Sequence, residues 1–201
     1  MIRLSLPYLT LETDVAFLRI KQWVFDTYSK TSSSIWITAF FIHVFTSIFS
    51  VFAGFTQFNL RLLKSKIHRS FGKVYVGSVL FLAAPTGLIM GIFANGGVIS
   101  VTAFVLLAIL WWTFTFEAYR SVRKKDFERH TKFMYLSYAL TLSALTLRAW
   151  KFTLAQLEFE IRPLDLYRIV AWLGWVPNLI FVLLLIYFQR HKVLLSKLKK
   201  Q

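Results

Sequence analysis

"KSKIHRSFGKVYVG", residues 64–77, carries Lys64, Lys66, His68, Arg69 and Lys73 without a single acid, then turns apolar. A polypeptide steps from charge to hydrocarbon-like sequence in this way where it leaves a headgroup layer and enters a bilayer. The flanking sequence agrees. Five stretches, near 35–57, 73–94, 98–117, 133–156 and 167–189, are long enough to cross a hydrocarbon core, which takes about 20 apolar residues. Of 201 residues 57% are hydrophobic, and the mean hydropathy is +0.58, more than a soluble domain of this length carries. These features predict an all-α protein, a polytopic transmembrane bundle of five spanning helices.

"NGG" at 95–97 predicts a tight turn, so the second and third spans form a hairpin. In "TLETDVAFLRIKQWVFDTY" (10–28), Phe17, Leu18, Val24 and Phe25 lie near helical spacing among charges. That segment is too short and too charged to span, and predicts an N-terminal interfacial helix. The expected organisation is an extracytoplasmic or interfacial segment (1–33), a five-helix transmembrane domain (34–190) and a basic cytoplasmic tail (191–201). The first 33 residues lack the plan of a cleaved signal peptide, so the first span is expected to direct insertion.

The net charge of +15 would suggest nucleic acid on a soluble chain. Here the basic residues sit between apolar runs, which argues against nucleic acid. Sixteen of the 24 Lys and Arg residues fall in the loop after the first span, the loop after the third and the C-terminal tail. By the positive-inside rule that side is cytoplasmic, with the N-terminus outside and the C-terminus inside. Anionic headgroups of the cytoplasmic leaflet are the expected lipid partners.

No cysteine is present, which excludes disulfides and thiolate metal sites. Phosphate loops, nucleophile elbows, paired catalytic carboxylates and HExxH are also missing, arguing against hydrolysis and phosphoryl transfer. Polar residues inside the spans carry more information, because each is costly there. His43, Ser47, Ser50, Gly54 and Gln57 recur at helical spacing on one face of the first span. His130, Met134, Ser137, Thr141, Ala144 and Arg148 do so along the fourth. "GLIMG" (87–91) offers small residues for close helix packing. The expected result is a bundle with a polar seam that includes Gln57, Arg69, Ser137, Thr141, Arg148 and Asn178.

His43 is expected roughly 12 Å below the outer boundary. His68 and His130 both fall at the cytoplasmic rim, with Gln57, Tyr75, Glu117 and Tyr119 at similar depth. Neutral imidazoles so placed are candidates to hold a metal or a haem iron, or to carry protons. Trp36, Trp111, Trp112, Trp150, Trp172 and Trp175 read as interfacial anchors. Pro177 should bend the fifth span, with Asn178 beside the freed carbonyl or facing the seam.

"FIHVFTSIFSVFAGFTQF" (41–58), "HRSFGKVYV" (68–76), "GLIMGIFANGG" (87–97), "HTKFMYLSYALTLSALTLR" (130–148) and "AWLGWVPNL" (171–179) resemble a bacterial membrane-protein family, domain of unknown function 2306. The resemblance implies a multi-helix protein of the bacterial inner membrane. It places His43, Gln57, His68, Arg69, Gly72, His130, Arg148, Pro177 and Asn178 at signature positions, and carries no activity with it. Leu136 departs from the pattern, which commonly has a basic residue there. Two functions are expected from the residues. One is a redox membrane protein binding quinone or a single haem b through His68 and His130, with His43 a further candidate. The other is a non-enzymatic accessory subunit of a membrane-protein partner, or a lipid- or ion-binding carrier.

Overall fold

The structure is a computed structural model that describes residues 30–58, 62, 65–156 and 162–189. The predicted interfacial helix and the basic tail lie outside the described residues. Among the described residues the regular structure is helical throughout. Helix α1 (Lys30–Gln57) is followed by α2 (Lys66–Ser78), a π-helical turn (Val79–Ala83) and α3 (Ala84–Ile92). Then come α4 (Val98–Arg123), α5 (Phe127–Thr141), α6 (Ser143–Gln156), α7 (Pro163–Leu173) and α8 (Val176–Tyr187).

Four helical stretches are long and apolar enough to cross a membrane: Ser34–Gln57, Lys66–Ile92, Val98–Arg123 and Pro163–Tyr187. The predicted fourth span is divided at Leu142 into α5 and α6, of 15 and 14 residues. A threonine just before the break bonds back onto its own helix. Thr141 Oγ1 donates to Ser137 O at 3.1 Å. Such back-bonding competes with the main-chain ladder and bends helices.

The second stretch is irregular because of Pro85. The Ala84 N–H reaches Val79 O in the wider π pattern, and Pro85 has no N–H with which to serve Leu80 O next. That carbonyl is taken by the Trp112 indole, 3.1 Å away on α4. The 95–97 turn forms as expected, with Gly96 and Gly97 at φ +90° and +68°, values a Cβ disfavours. Arg168 Nε donates to Gly96 O at 2.9 Å and fastens the turn to α7.

In the bundle α1 packs on α2 and α3, α4 lies between α3 and α5, α8 covers α5, and α6 packs on α7. Burial runs opposite to that of a soluble core. Phe52 and Phe81 are 68% and 78% exposed, whereas Ser50, Ser100, Thr115 and Ser137 are fully buried. Apolar side chains facing out around a polar seam suit hydrocarbon solvent. Trp36, Trp111 and Trp175 are buried in this interior, which corrects their expected role as interfacial anchors.

Candidate functional site

The seam has a closed centre and two open ends. At the centre, Tyr75 Oη lies 2.7 Å from both Ser137 Oγ and Thr141 Oγ1. Thr115 Oγ1 lies 2.7 Å from Ser137 Oγ, and Trp111 Nε1 donates to Thr141 Oγ1 at 3.0 Å. All five side chains are buried. Each hydroxyl has a partner, so the network ties α2, α4 and α5 together and leaves no group free for chemistry.

Ser137 and Thr141 thus join as a seam, while Tyr75 belongs here and not beside His68. Thr115 was missed from the sequence, and Trp111, one turn before it on α4, was read as an interfacial anchor. Their signal was a threonine and an indole on one face of an otherwise apolar helix. Asn178 faces inward too. Its Nδ2 donates to Ala139 O at 3.2 Å, a carbonyl next to the α5–α6 break, and to Thr146 Oγ1 at 3.0 Å. Thr146 Oγ1 in turn donates to Gly174 O, between α7 and α8.

One end of the seam is the charged rim. His68 follows Ser65, whose side chain caps α2 by accepting from the His68 N–H. Its ring Nδ1 is buried without a partner. His130, in the first turn of α5, pairs through Nδ1 with Ala118 O at 2.8 Å. A carbonyl only accepts, so Nδ1 carries the proton and Nε2 keeps its lone pair. The two imidazoles lie within electrostatic range of one another. Burial lowers the His130 pKa from its ordinary value, more than the Ala118 hydrogen bond restores it.

Gln57 connects the rim to α1, with Nε2 donating to His68 O at 3.3 Å and its side chain lying against Gly72. Arg69 is exposed and faces away from the seam. Glu117 is occupied by Arg129 and Arg120, at 2.8 and 3.3 Å. Tyr119 is exposed.

The other end lies deeper. His43 Nδ1 donates to Ala83 O, 2.8 Å away in the π turn. Its ring packs so closely on Gly87 that a Cβ there would meet His43 Cε1 at 2.9 Å. Arg148 lies within electrostatic range of His43 and donates through one guanidinium nitrogen to Ala144 O, 2.9 Å away on its own helix. Ser47, one turn along α1 from His43, has a buried hydroxyl with no partner. Among the described residues no group of three or more His, Asp or Glu side chains could hold a metal ion.

No curated protein and no solved structure matches the chain. Across residues 40–186 it matches the family described as "Predicted membrane protein (DUF2306)", and the chain belongs to that family.

Proposed function

We propose that this DUF2306 protein is a redox component of the bacterial inner membrane that holds a single haem b at its cytoplasmic rim through His68 and His130. One observation carries the reading. Two helices hold two imidazoles within electrostatic range of one another, each with an unspent ring nitrogen, and among the described residues no third His, Asp or Glu joins them as a ligand. A bare ion would lack most of its coordination set, whereas a haem would bring most of its iron's ligands with it and would be held by His68 and His130. The Ala118 tether on His130 is the kind of outer contact that fixes a ligand's tautomer. Bound haem would supply one-electron transfer. The chain's own residues position and shield it.

The topology that goes with this is five crossings, with α5 and α6 together making the fourth, the N-terminus outside and the C-terminus inside. It is supported by the basic side chains between α4 and α5 and by the alternation of the helices. An absorption spectrum of protein purified from haem-replete cells tests the cofactor. A Soret band that disappears in His68→Ala and in His130→Ala is expected, and a colourless wild-type preparation refutes the reading.

The closed Tyr75 network favours a second reading, a non-enzymatic accessory subunit or carrier whose polar seam is structural. Histidine substitutions would then lower stability or partner association without altering any spectrum.

A further inference from the structure

At the charged rim, where α4 gives way to α5, a cavity of about 90 Å³ is lined by Glu117, Arg120, Ser121, Lys124, Asp126 and Arg129. That is several times the space one water needs. The fold alone accounts for part of this lining. Glu117 holds Arg129 at 2.8 Å and Arg120 at 3.3 Å. The Asp126 carboxylate caps α5 by accepting from the Arg129 N–H at 3.0 Å. These contacts engage both carboxylates and fix both arginines at the cavity wall.

Ser121 and Lys124 are not accounted for in that way. Ser121 is 2% exposed and its hydroxyl has no partner, although a helical serine can bond back to a carbonyl one turn earlier. A buried hydroxyl without a partner costs stability, so an idle one in a cavity wall points to a ligand that completes it. No ion pair among the described residues takes in Lys124, although two carboxylates line the same cavity.

The donors define the missing partner. Arg120, Lys124 and Arg129 outnumber the two carboxylates, and with Ser121 they offer donors from four side chains. A phosphate monoester answers them with three terminal oxygens and a charge of about −1.5 to −2. The setting favours a lipid as its carrier. The apolar stretch long enough to cross a membrane ends at Arg123, which places the cavity at headgroup depth. Tyr119, Val122 and Phe127, sequence neighbours of the lining residues, are exposed at this end of α4 and α5, as suits an interface with lipid.

We propose that Arg120, Ser121, Lys124 and Arg129 form a binding site for a phosphate monoester. A lipid headgroup and a soluble phosphate share this chemistry. Arg120 and Arg129 supply charge-assisted hydrogen bonds, Lys124 a further charge, and Ser121 a contact that general attraction to an anionic membrane does not need. The site uses only the end of α4 and the start of α5, so it stands or falls independently of the haem reading.

The full chain in phosphatidylcholine nanodiscs, titrated with dioleoyl phosphatidic acid, with glycerol 3-phosphate and with neutral dioleoylglycerol, tests this by native mass spectrometry and thermal shift. A phosphate monoester should bind and raise Tm, while dioleoylglycerol does neither. Phosphatidic acid alone makes a lipid the source, glycerol 3-phosphate alone a soluble phosphate, and either outcome upholds the site. Lys124→Gln should weaken the binding about fivefold, the scale of one basic contact to an anionic headgroup. Lys66→Gln, which removes an exposed lysine at the start of α2 outside the cavity, should leave it nearly unchanged. Ser121→Ala removes a hydroxyl that makes no bond in the fold, and should lower the affinity several-fold. No binding of either phosphate, equal binding of dioleoylglycerol, Lys66→Gln weakening binding as much as Lys124→Gln, or unchanged binding in Ser121→Ala overturns the proposal.

Discussion

Tyr75 shows what one hydroxyl does in this interior. It joins Ser137 and Thr141 on α5 from a fully buried position on α2. Tyr75→Phe keeps the ring and leaves both partners short of a bond, costing about 1–3 kcal/mol, measured as unfolding in detergent or bicelles. Ser137→Ala in the same background should cost less than it does alone, since both remove one network. Gly54 is a second sensitive position, because a Cβ there would enter the Tyr138 ring. Gly54→Ala should lower stability by about 1–3 kcal/mol through overpacking, and an unchanged unfolding midpoint would contradict that contact. His130 predicts a pH dependence. Its folded pKa lies below the ordinary 6.5 because burial disfavours the charged ring, so the unfolded chain binds the proton more readily. The stability it contributes is therefore complete above pH 6.5 and declines as pH falls from there toward the folded value. Tm should drop between pH 7 and 5.5, by less in His130→Gln.

The breaks within helices are specified by particular side chains. Pro85 has no N–H, the chain widens into a π turn, the freed Leu80 carbonyl is taken by Trp112, and His43 bonds the neighbouring Ala83 carbonyl. At Leu142 the path divides, and Asn178 crosses from α8 to reach Ala139 O beside the division. Asn178→Leu should therefore strand a carbonyl in an apolar interior and cost about 1–3 kcal/mol, read by the same unfolding measurement. The sequence pattern located neither of these two breaks. Pro177 was expected to bend the last span, and the division between α7 and α8 falls just before it, at Gly174 and Trp175. The π turn gave no hydrophobic-period signal, because one extra residue per turn changes backbone pairing and leaves composition untouched.

At the scale of the molecule, the proposed five crossings would place the Gly96–Gly97 turn outside and the α4–α5 turn inside. The chain has no cysteine, so single cysteines report topology cleanly. Val98→Cys, at an 80% exposed position, should react with a membrane-impermeant maleimide in intact cells. Lys124→Cys should react only after lysis. The reverse pattern would invert the topology, and labelling of both in intact cells would remove the third crossing.

The sequence by itself determined the helical membrane fold, the glycine turn and the inward faces of α1 and α5. Hydropathy, charge bias and the helical repeat are local properties of the chain, readable without knowing its partners. Only the tertiary structure decided which polar groups are spent and which remain open. Tyr75 and Trp111 were indistinguishable in sequence from rim or anchor residues, and their burial depends on contacts 30 to 66 positions apart. The bond from Asn178 to Ala139 O is likewise a matter of side-chain geometry, since a hydrogen bond is completed in space and spacing along the chain does not encode its direction.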